Sequence, residues 1–63
     1  MSFDKAVKIV EGWPEDRSAP LKLSKMIEAS RGRERSLMRL LVEALTVAAA
    51  SEEDYKLINK YFN

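Results

Sequence analysis

The sequence predicts an all-α protein, a small bundle of three to four helices with a long, central third helix. Apolar residues recur three and four positions apart along most of the chain, which is the spacing of one helix face. The two glycines and two prolines lie near the borders of these periodic segments. We expect one domain spanning residues 1–63, with a thin core, because a chain of 63 residues buries little of its surface.

The first predicted helix begins close to the N-terminus. Ser2 suits its N-cap position, and an acidic residue follows in the first turn. Gly12 suits a left-handed residue just past the helix end, and Pro14 prevents continuation. Trp13 would then fold back on Val7. The apolar face consists of Phe3, Ala6, Val7, Val10 and Trp13.

A polar connection over residues 14–19 leads to the second predicted helix, with Pro20 in its first turn and Gly32 at its end. Its apolar repeat contains Leu23, Met26, Ile27 and Ser30. An alternative is an extended Leu21–Leu23 capped by Ser24, and a short strand before two helices resembles the ribbon–helix–helix repressors. The segment up to Gly32 is about one turn shorter than that family's first helix. The sequence leaves both conformations of Leu21–Leu23 open.

The third predicted helix runs from about Arg33 to Ala50. Its apolar residues cover about half of the helix circumference, which is more than one neighbouring helix can bury. They are Leu37, Met38, Leu40, Leu41, Ala44, Leu45, Val47 and Ala48. This helix should therefore be packed by the other helices or by a second copy of the chain. The remaining polar stripe contains Arg35, Ser36, Arg39, Glu43 and Thr46.

The fourth predicted helix opens with a capping box at residues 51–54, SEED. The acidic triplet in this box complements the positive end of the helix dipole, and its spacing does not suit a calcium loop. The predicted apolar face consists of Tyr55, Ile58, Tyr61 and Phe62, with Leu57 beside them.

The composition excludes most catalytic and metal chemistry. Because the chain contains neither cysteine nor histidine, it has no thiol nucleophile, no Ser–His pair and no thiolate or imidazole metal ligand. We therefore expect no enzymatic activity, no catalytic residue, no bound metal and no cofactor. No apolar run approaches the roughly 18 residues of a membrane span, and the N-terminus lacks the apolar core of a signal peptide. We expect a cytoplasmic protein without a membrane partner.

The charge distribution indicates where a partner would bind. Residues 17–39 carry seven basic and two acidic side chains, whereas the segments 1–16 and 40–63 each carry two basic and four acidic side chains. The basic maximum is SRGRERSLMR, residues 30–39. The predicted partner-binding residues, for protein or nucleic acid, are Arg31, Arg33, Arg35, Ser36 and Arg39. The alternative is a solvated turn whose arginines pair with Glu28, Glu34 and Glu43.

A helix-turn-helix interpretation of this segment places Arg33, Arg35, Ser36 and Arg39 against DNA bases and phosphates. Met38 and Leu41 suit the core positions of that motif. Arg31 and Arg33 flank the turn glycine where the motif needs apolar residues, and Glu28 stands where it needs a small one. A DNA-binding regulator is therefore the second hypothesis.

The first hypothesis is a small non-enzymatic interaction module, of the accessory, adaptor or inhibitor type, that binds a macromolecular partner. We expect it to act as a homodimer, because the apolar arc of the third helix is wide. The self-association candidates are Leu41, Leu45, Tyr61 and Phe62. No small-molecule substrate is inferred. Chains of this length are frequent among phage and plasmid accessory genes, an association that depends on length alone.

Overall fold

The computed structural model describes residues 2–62, and of Ser2 it describes the backbone alone. Its helices are α1 (Ser2–Glu11), α2 (Ala19–Ala29), α3 (Gly32–Ala48) and α4 (Glu52–Phe62). No strand occurs within residues 2–62, so the all-α prediction is confirmed. The segment Leu21–Leu23 lies inside α2, and the extended alternative is therefore wrong. The predicted cap by Ser2 concerns a side chain outside the described part.

The second and third helices form the centre of the bundle. Each of them packs against the three other helices, whereas α1 and α4 do not approach each other. α3 is the longest helix, with 17 residues, as predicted. The core draws apolar side chains from all four helices and from the first connection: Ala6, Trp13, Ala19, Leu23, Ile27, Met38, Leu45 and Ile58.

The buried face of α3 is narrower than the sequence indicated. Met38 and Leu45 are fully buried and Leu41 is half-buried. Three large apolar side chains of the predicted arc are instead exposed, to 42% for Leu37, 63% for Leu40 and 85% for Val47. The neighbouring helices therefore cover one stripe of α3 and leave a second apolar stripe open. The predicted polar stripe is exposed along its whole length.

The expectation of a left-handed conformation at Gly12 is wrong, and Gly32 has this conformation instead. Gly12 continues the helical turn, since its N–H donates to the carbonyls of Lys8 and Ile9 at 3.3 and 3.2 Å. Within residues 2–62, Gly32 alone has a positive φ, +62°, and it begins α3 instead of ending α2. α2 ends at Ala29, and Ser30 is its extended C-cap residue.

The indole of Trp13 caps the C-terminal end of α3. Its Nε1–H donates to the carbonyl oxygen of Leu45 at 2.9 Å, in a buried contact between residues 32 positions apart. Leu45 is one of the last four residues of α3, whose carbonyls lack the usual i+4 donor. The N–H of Ala49 donates instead to the carbonyl of Thr46 at 3.2 Å. Trp13 thus supplies the donor that the helix does not.

Arg17 and Asp54 connect the first loop to the start of α4. Arg17 lies over the Trp13 ring, 4.9 Å from its centroid, and its Nη1 donates to Asp54 Oδ1 at 2.5 Å. The other oxygen of Asp54 accepts the N–H groups of Ala50 and Ser51 at 2.7 and 3.2 Å. We call Trp13, Arg17 and Asp54, with the backbone that they bind, the polar clamp.

The predicted capping box is confirmed by these contacts. The Asp54 N–H donates to Ser51 Oγ at 3.3 Å, and the Asp54 carboxylate in turn accepts a hydrogen bond from the Ser51 N–H. Asp54 is buried, with 4% of its surface exposed. The expectation that Tyr55 belongs to the buried face is wrong, since Tyr55 is 45% exposed.

The carboxylates of Asp16, in the first loop, and Asp54, in the first turn of α4, are held in their charged forms. The N–H groups of the α3–α4 junction, Ala50 first, and the guanidinium of Arg17 lower the pKa of Asp54 below its ordinary value. The pKa of Asp16 is lowered by hydrogen bonds from the hydroxyl and the N–H of Ser18, with a smaller contribution from Lys22. Both groups therefore favour the folded state when they are ionised.

A matched pair of glycine substitutions tests the backbone of the turns. Gly32→Ala should lower the free energy of unfolding by about 1–2 kcal/mol, because a Cβ is strained at positive φ. No atom lies within 4 Å of the site of that Cβ, so packing plays no part. Gly12→Ala should leave the stability unchanged or raise it by up to about 1 kcal/mol. Urea unfolding of both variants measures the difference, and equal stabilities would contradict it.

The clamp predicts how stability depends on pH. Because the folded-state pKa of Asp54 is lowered, its contribution is complete at neutral pH, above the pKa of an unfolded aspartate. It should be lost as the pH falls below about 4 and through the lowered folded-state pKa. Asp54→Asn should therefore unfold at a lower temperature than the wild type at neutral pH, and its stability should fall less as the solution is acidified. The fall that remains in this variant comes in part from Asp16, whose pKa is also lowered.

Thermal unfolding followed by circular dichroism from neutral to acidic pH checks this prediction. Glu15→Gln is the control, since it removes an exposed carboxylate of the first loop that makes no ion pair within residues 2–62. We expect this control to follow the wild-type profile. If the unfolding temperatures of Asp54→Asn and the wild type fell equally with decreasing pH, the Asp54 carboxylate would not be the source of the pH dependence.

Candidate functional site

The arginines of the basic segment are all exposed around the start of α3. Ser30 and Arg31 form the whole connection from α2, and Arg31 is the extended N-cap residue of α3. Arg33, Arg35 and Arg39 follow on the first two turns, all exposed to solvent.

The ion pairs that the solvated-turn alternative requires are not formed. Within residues 2–62, the ion pairs closer than 4.0 Å are those of Arg17 with Asp54 and of Lys22 with Asp16, besides any made by Asp4. The expected pairing with Glu28, Glu34 and Glu43 is therefore wrong. Four guanidinium groups are left without a carboxylate in that part of the chain.

Ser36 is exposed beside these arginines, but its hydroxyl is directed back to its own helix. Its Oγ donates to the carbonyl oxygen of Gly32 at 3.4 Å, the i−4 bond that serine makes within helices. This long bond at an exposed site leaves the hydroxyl lone pairs available to a partner.

A cleft of about 390 Å³ lies between α2, α3 and α4. α2 contributes one wall, and the middle of α3 contributes the other. The end of α4 closes one side with its aromatic side chains. The lining residues are Ser24, Ile27, Glu28, Arg35, Arg39, Val42, Glu43, Tyr61 and Phe62.

This cleft joins two groups of residues that the sequence suggested separately. Arg35 and Arg39 come from the predicted partner-binding set, and Tyr61 and Phe62 come from the predicted self-association set. Both aromatic residues are half-buried, so they are partly available to a ligand. α3 and α4 meet the cleft from different sides, and their packing brings the four side chains to one place.

Other predicted residues lie elsewhere. Arg31, Arg33 and Ser36 do not line the cleft, although they are exposed and lie close in sequence to Arg35, which does. Leu41 is half-buried and packs against the core, and Leu45 has no exposed surface. Leu45 therefore holds the subunit together and is not available to a second copy in this fold.

The cleft also contains residues that sequence reasoning did not assign to a partner surface. Val42 supplies apolar surface beside the buried Ile27, and Glu28 and Glu43 place a carboxylate on each wall. One signal was present in the sequence: Arg35, Arg39 and Glu43 recur every four residues and must share a face of α3. The position of Glu28 opposite them depends on the packing of α2 on α3, which no local pattern indicates.

The chemistry of the cleft suits recognition. Two guanidinium and two carboxylate groups balance in charge around an apolar and aromatic floor. Within the described residues, no group of three or more acidic side chains is arranged to hold a metal ion. Such a lining binds apolar side chains and fixes their orientation by ion pairs at the edges.

Comparison of the chain with protein-family models, with curated proteins and with solved structures yields no match. None of the helices in residues 2–62 combines the length and the apolar character needed to cross a membrane.

Proposed function

We propose that the chain is a small non-enzymatic interaction module that binds a segment of a protein partner in the α2–α3–α4 cleft. The observation that carries this proposal is the meeting of Arg35 and Arg39 with Tyr61 and Phe62 around one cleft. We further propose that it does so in the cytoplasm and as a homodimer.

The residue types at the cleft are those that dominate protein interfaces. Tyrosine and arginine are enriched among hot spots, because each joins a large contact area to directed hydrogen bonding. Phe62 and Val42, both half-buried, add apolar surface without a polar group that needs a partner. A segment with two or three apolar side chains and a flanking carboxylate would fill the cleft and pair with Arg35 or Arg39.

The charge balance favours a protein over a nucleic acid in this cleft. Glu28 and Glu43 line it together with the two arginines, so a phosphate backbone would meet repulsion as well as attraction. A polypeptide can present both signs of charge in one short segment. Charge complementarity of this kind determines which partner binds.

A DNA-binding role remains the second candidate, supported by a different observation. Arg31, Arg33, Arg35 and Arg39 are exposed and have no acidic partner in residues 2–62. They surround the start of a helix that follows a two-residue connection, and its positive dipole end also favours phosphate. In this alternative the arginines bind the backbone of a duplex and the cleft has no role.

The protein-binding proposal predicts a difference between two exposed arginines. Peptides selected from a random displayed library for tight binding to the wild-type chain should bind at least about tenfold more weakly to Arg39→Ala and Tyr61→Ala, as hot-spot truncation does. The control is Arg31→Ala, which removes an exposed arginine outside the cleft and should bind as the wild type does. Fluorescence anisotropy of the labelled peptides measures all four dissociation constants. Equal binding by the wild type, Arg39→Ala and Tyr61→Ala would exclude the cleft.

Binding to a labelled random-sequence DNA duplex distinguishes the DNA-binding role from the protein-binding proposal. We expect weak binding to the duplex, similar for the wild type and for a combined Arg33→Ala, Arg35→Ala and Arg39→Ala variant. Tight binding at low salt that falls linearly with the logarithm of the salt concentration, and that the combined variant abolishes, would favour the DNA-binding role instead.

A further inference from the structure

A second apolar stripe runs along α3 on a side that the other helices do not cover. It consists of Leu37, Leu40, Ala44 and Val47, and we call it the open stripe. Its three large members are 42%, 63% and 85% exposed in chain order. Leu37, Leu40 and Ala44 each immediately precede a buried or half-buried residue, so the open stripe is rotated from the core by about 100°.

The spacing of the open stripe is that of a two-helix seam. Its members are separated by three, four and three residues, which is the a/d pattern of a heptad repeat. Single exposed apolar residues are common on protein surfaces, but four aligned members form a line about 15 Å long. Such a line fits the matching face of another helix.

We propose that the open stripe is the interface for a second copy of this chain, with the two α3 helices antiparallel about a two-fold axis. In this arrangement Leu37 packs on Val47 of the other copy. Leu40 packs on Ala44 of the other copy, where a small residue allows the helices to approach closely. Each of these contacts therefore occurs twice, once on either side of the two-fold axis, as a symmetric interface requires.

The charges at the two ends of the stripe determine this orientation. Arg31 and Arg33 stand at the N-terminal end of α3, and Glu52 and Glu53 begin α4 after a connection of three residues from the C-terminal end of α3, all four exposed. In residues 2–62 none of these four side chains has an ion-pair partner within 4.0 Å. Antiparallel helices bring the basic end of one copy to the acidic end of the other. Parallel helices would place like charges together.

This interface differs from the one that the sequence suggested. Leu45 is inside the subunit, and Tyr61 and Phe62 line the cleft. No member of the open stripe lines the cleft, so the dimer would present two clefts to partners. The dimer and the peptide-binding proposal can consequently fail independently.

Sedimentation equilibrium of the full chain from micromolar to millimolar concentration tests the interface. We expect a monomer–dimer equilibrium whose dissociation constant rises at least tenfold in Leu40→Glu. Because Leu40 is largely exposed in the subunit, this variant should retain the wild-type helical circular dichroism. Thr46→Glu, with the same new charge on the polar stripe, should dimerise as the wild type does. A monomer at every concentration, or equal dimerisation of Leu40→Glu, would overturn the proposal.

Cross-linking tests the orientation, and the chain has no cysteine to interfere. Mixed Leu37→Cys and Val47→Cys chains should form a disulfide-linked heterodimer upon mild oxidation, whereas Leu37→Cys alone should remain largely uncross-linked. Preferential cross-linking of Leu37→Cys to itself would indicate parallel helices and overturn the antiparallel arrangement.

Discussion

The fold depends on the contact between Trp13 and the end of α3. The indole N–H reaches a buried carbonyl that the helix itself leaves without a donor, and this bond joins the first loop to the third helix. Arg17 lies on the same ring and extends the connection to Asp54 at the start of α4. One cluster thus fixes the first loop to the α3–α4 junction, from which it is separated by 32 to 37 positions in the sequence. Such a cluster matters in a chain of 63 residues, because apolar burial alone provides little stability at this size.

The clamp also explains how the two ends of α3 differ. At its C-terminal end, Leu45 and the following junction are tied to the first loop by hydrogen bonds. At its N-terminal end, exposed arginines project from a helix attached to α2 by a connection of two residues. The C-terminal end is thus bonded to the first loop, and the N-terminal end carries exposed basic side chains. Arg35 and Arg39 lie between the two ends of α3 and line the cleft, to which the end of α4 supplies aromatic surface.

The elements that local sequence patterns determine were predicted well. The four helices follow from apolar spacing, and the capping box at Ser51 follows from a local exchange of hydrogen bonds. Both glycines stand beside plausible helix ends, and the local pattern did not indicate that Gly32, and not Gly12, takes the positive φ.

The contacts that build the site were not predictable in this way. Arg17 belonged to a loop with no periodicity, and its partner Asp54 lies 37 residues away. The cleft likewise depends on the packing of α2 and α4 beside α3. The sequence did indicate the composition of the candidate surface, because exposed arginines and terminal aromatic residues stand out from a core pattern. It did not indicate which of them would meet.

The free energy of unfolding of Trp13→Phe, measured by urea titration at neutral pH, tests the role of the clamp most directly. Phenylalanine retains an aromatic ring beneath Arg17 and removes only the indole N–H and part of the ring volume. We expect a loss of about 1–3 kcal/mol, the cost of leaving the buried carbonyl of Leu45 without a donor. Stability within about 0.5 kcal/mol of the wild type would show that this bond does not hold the helices together.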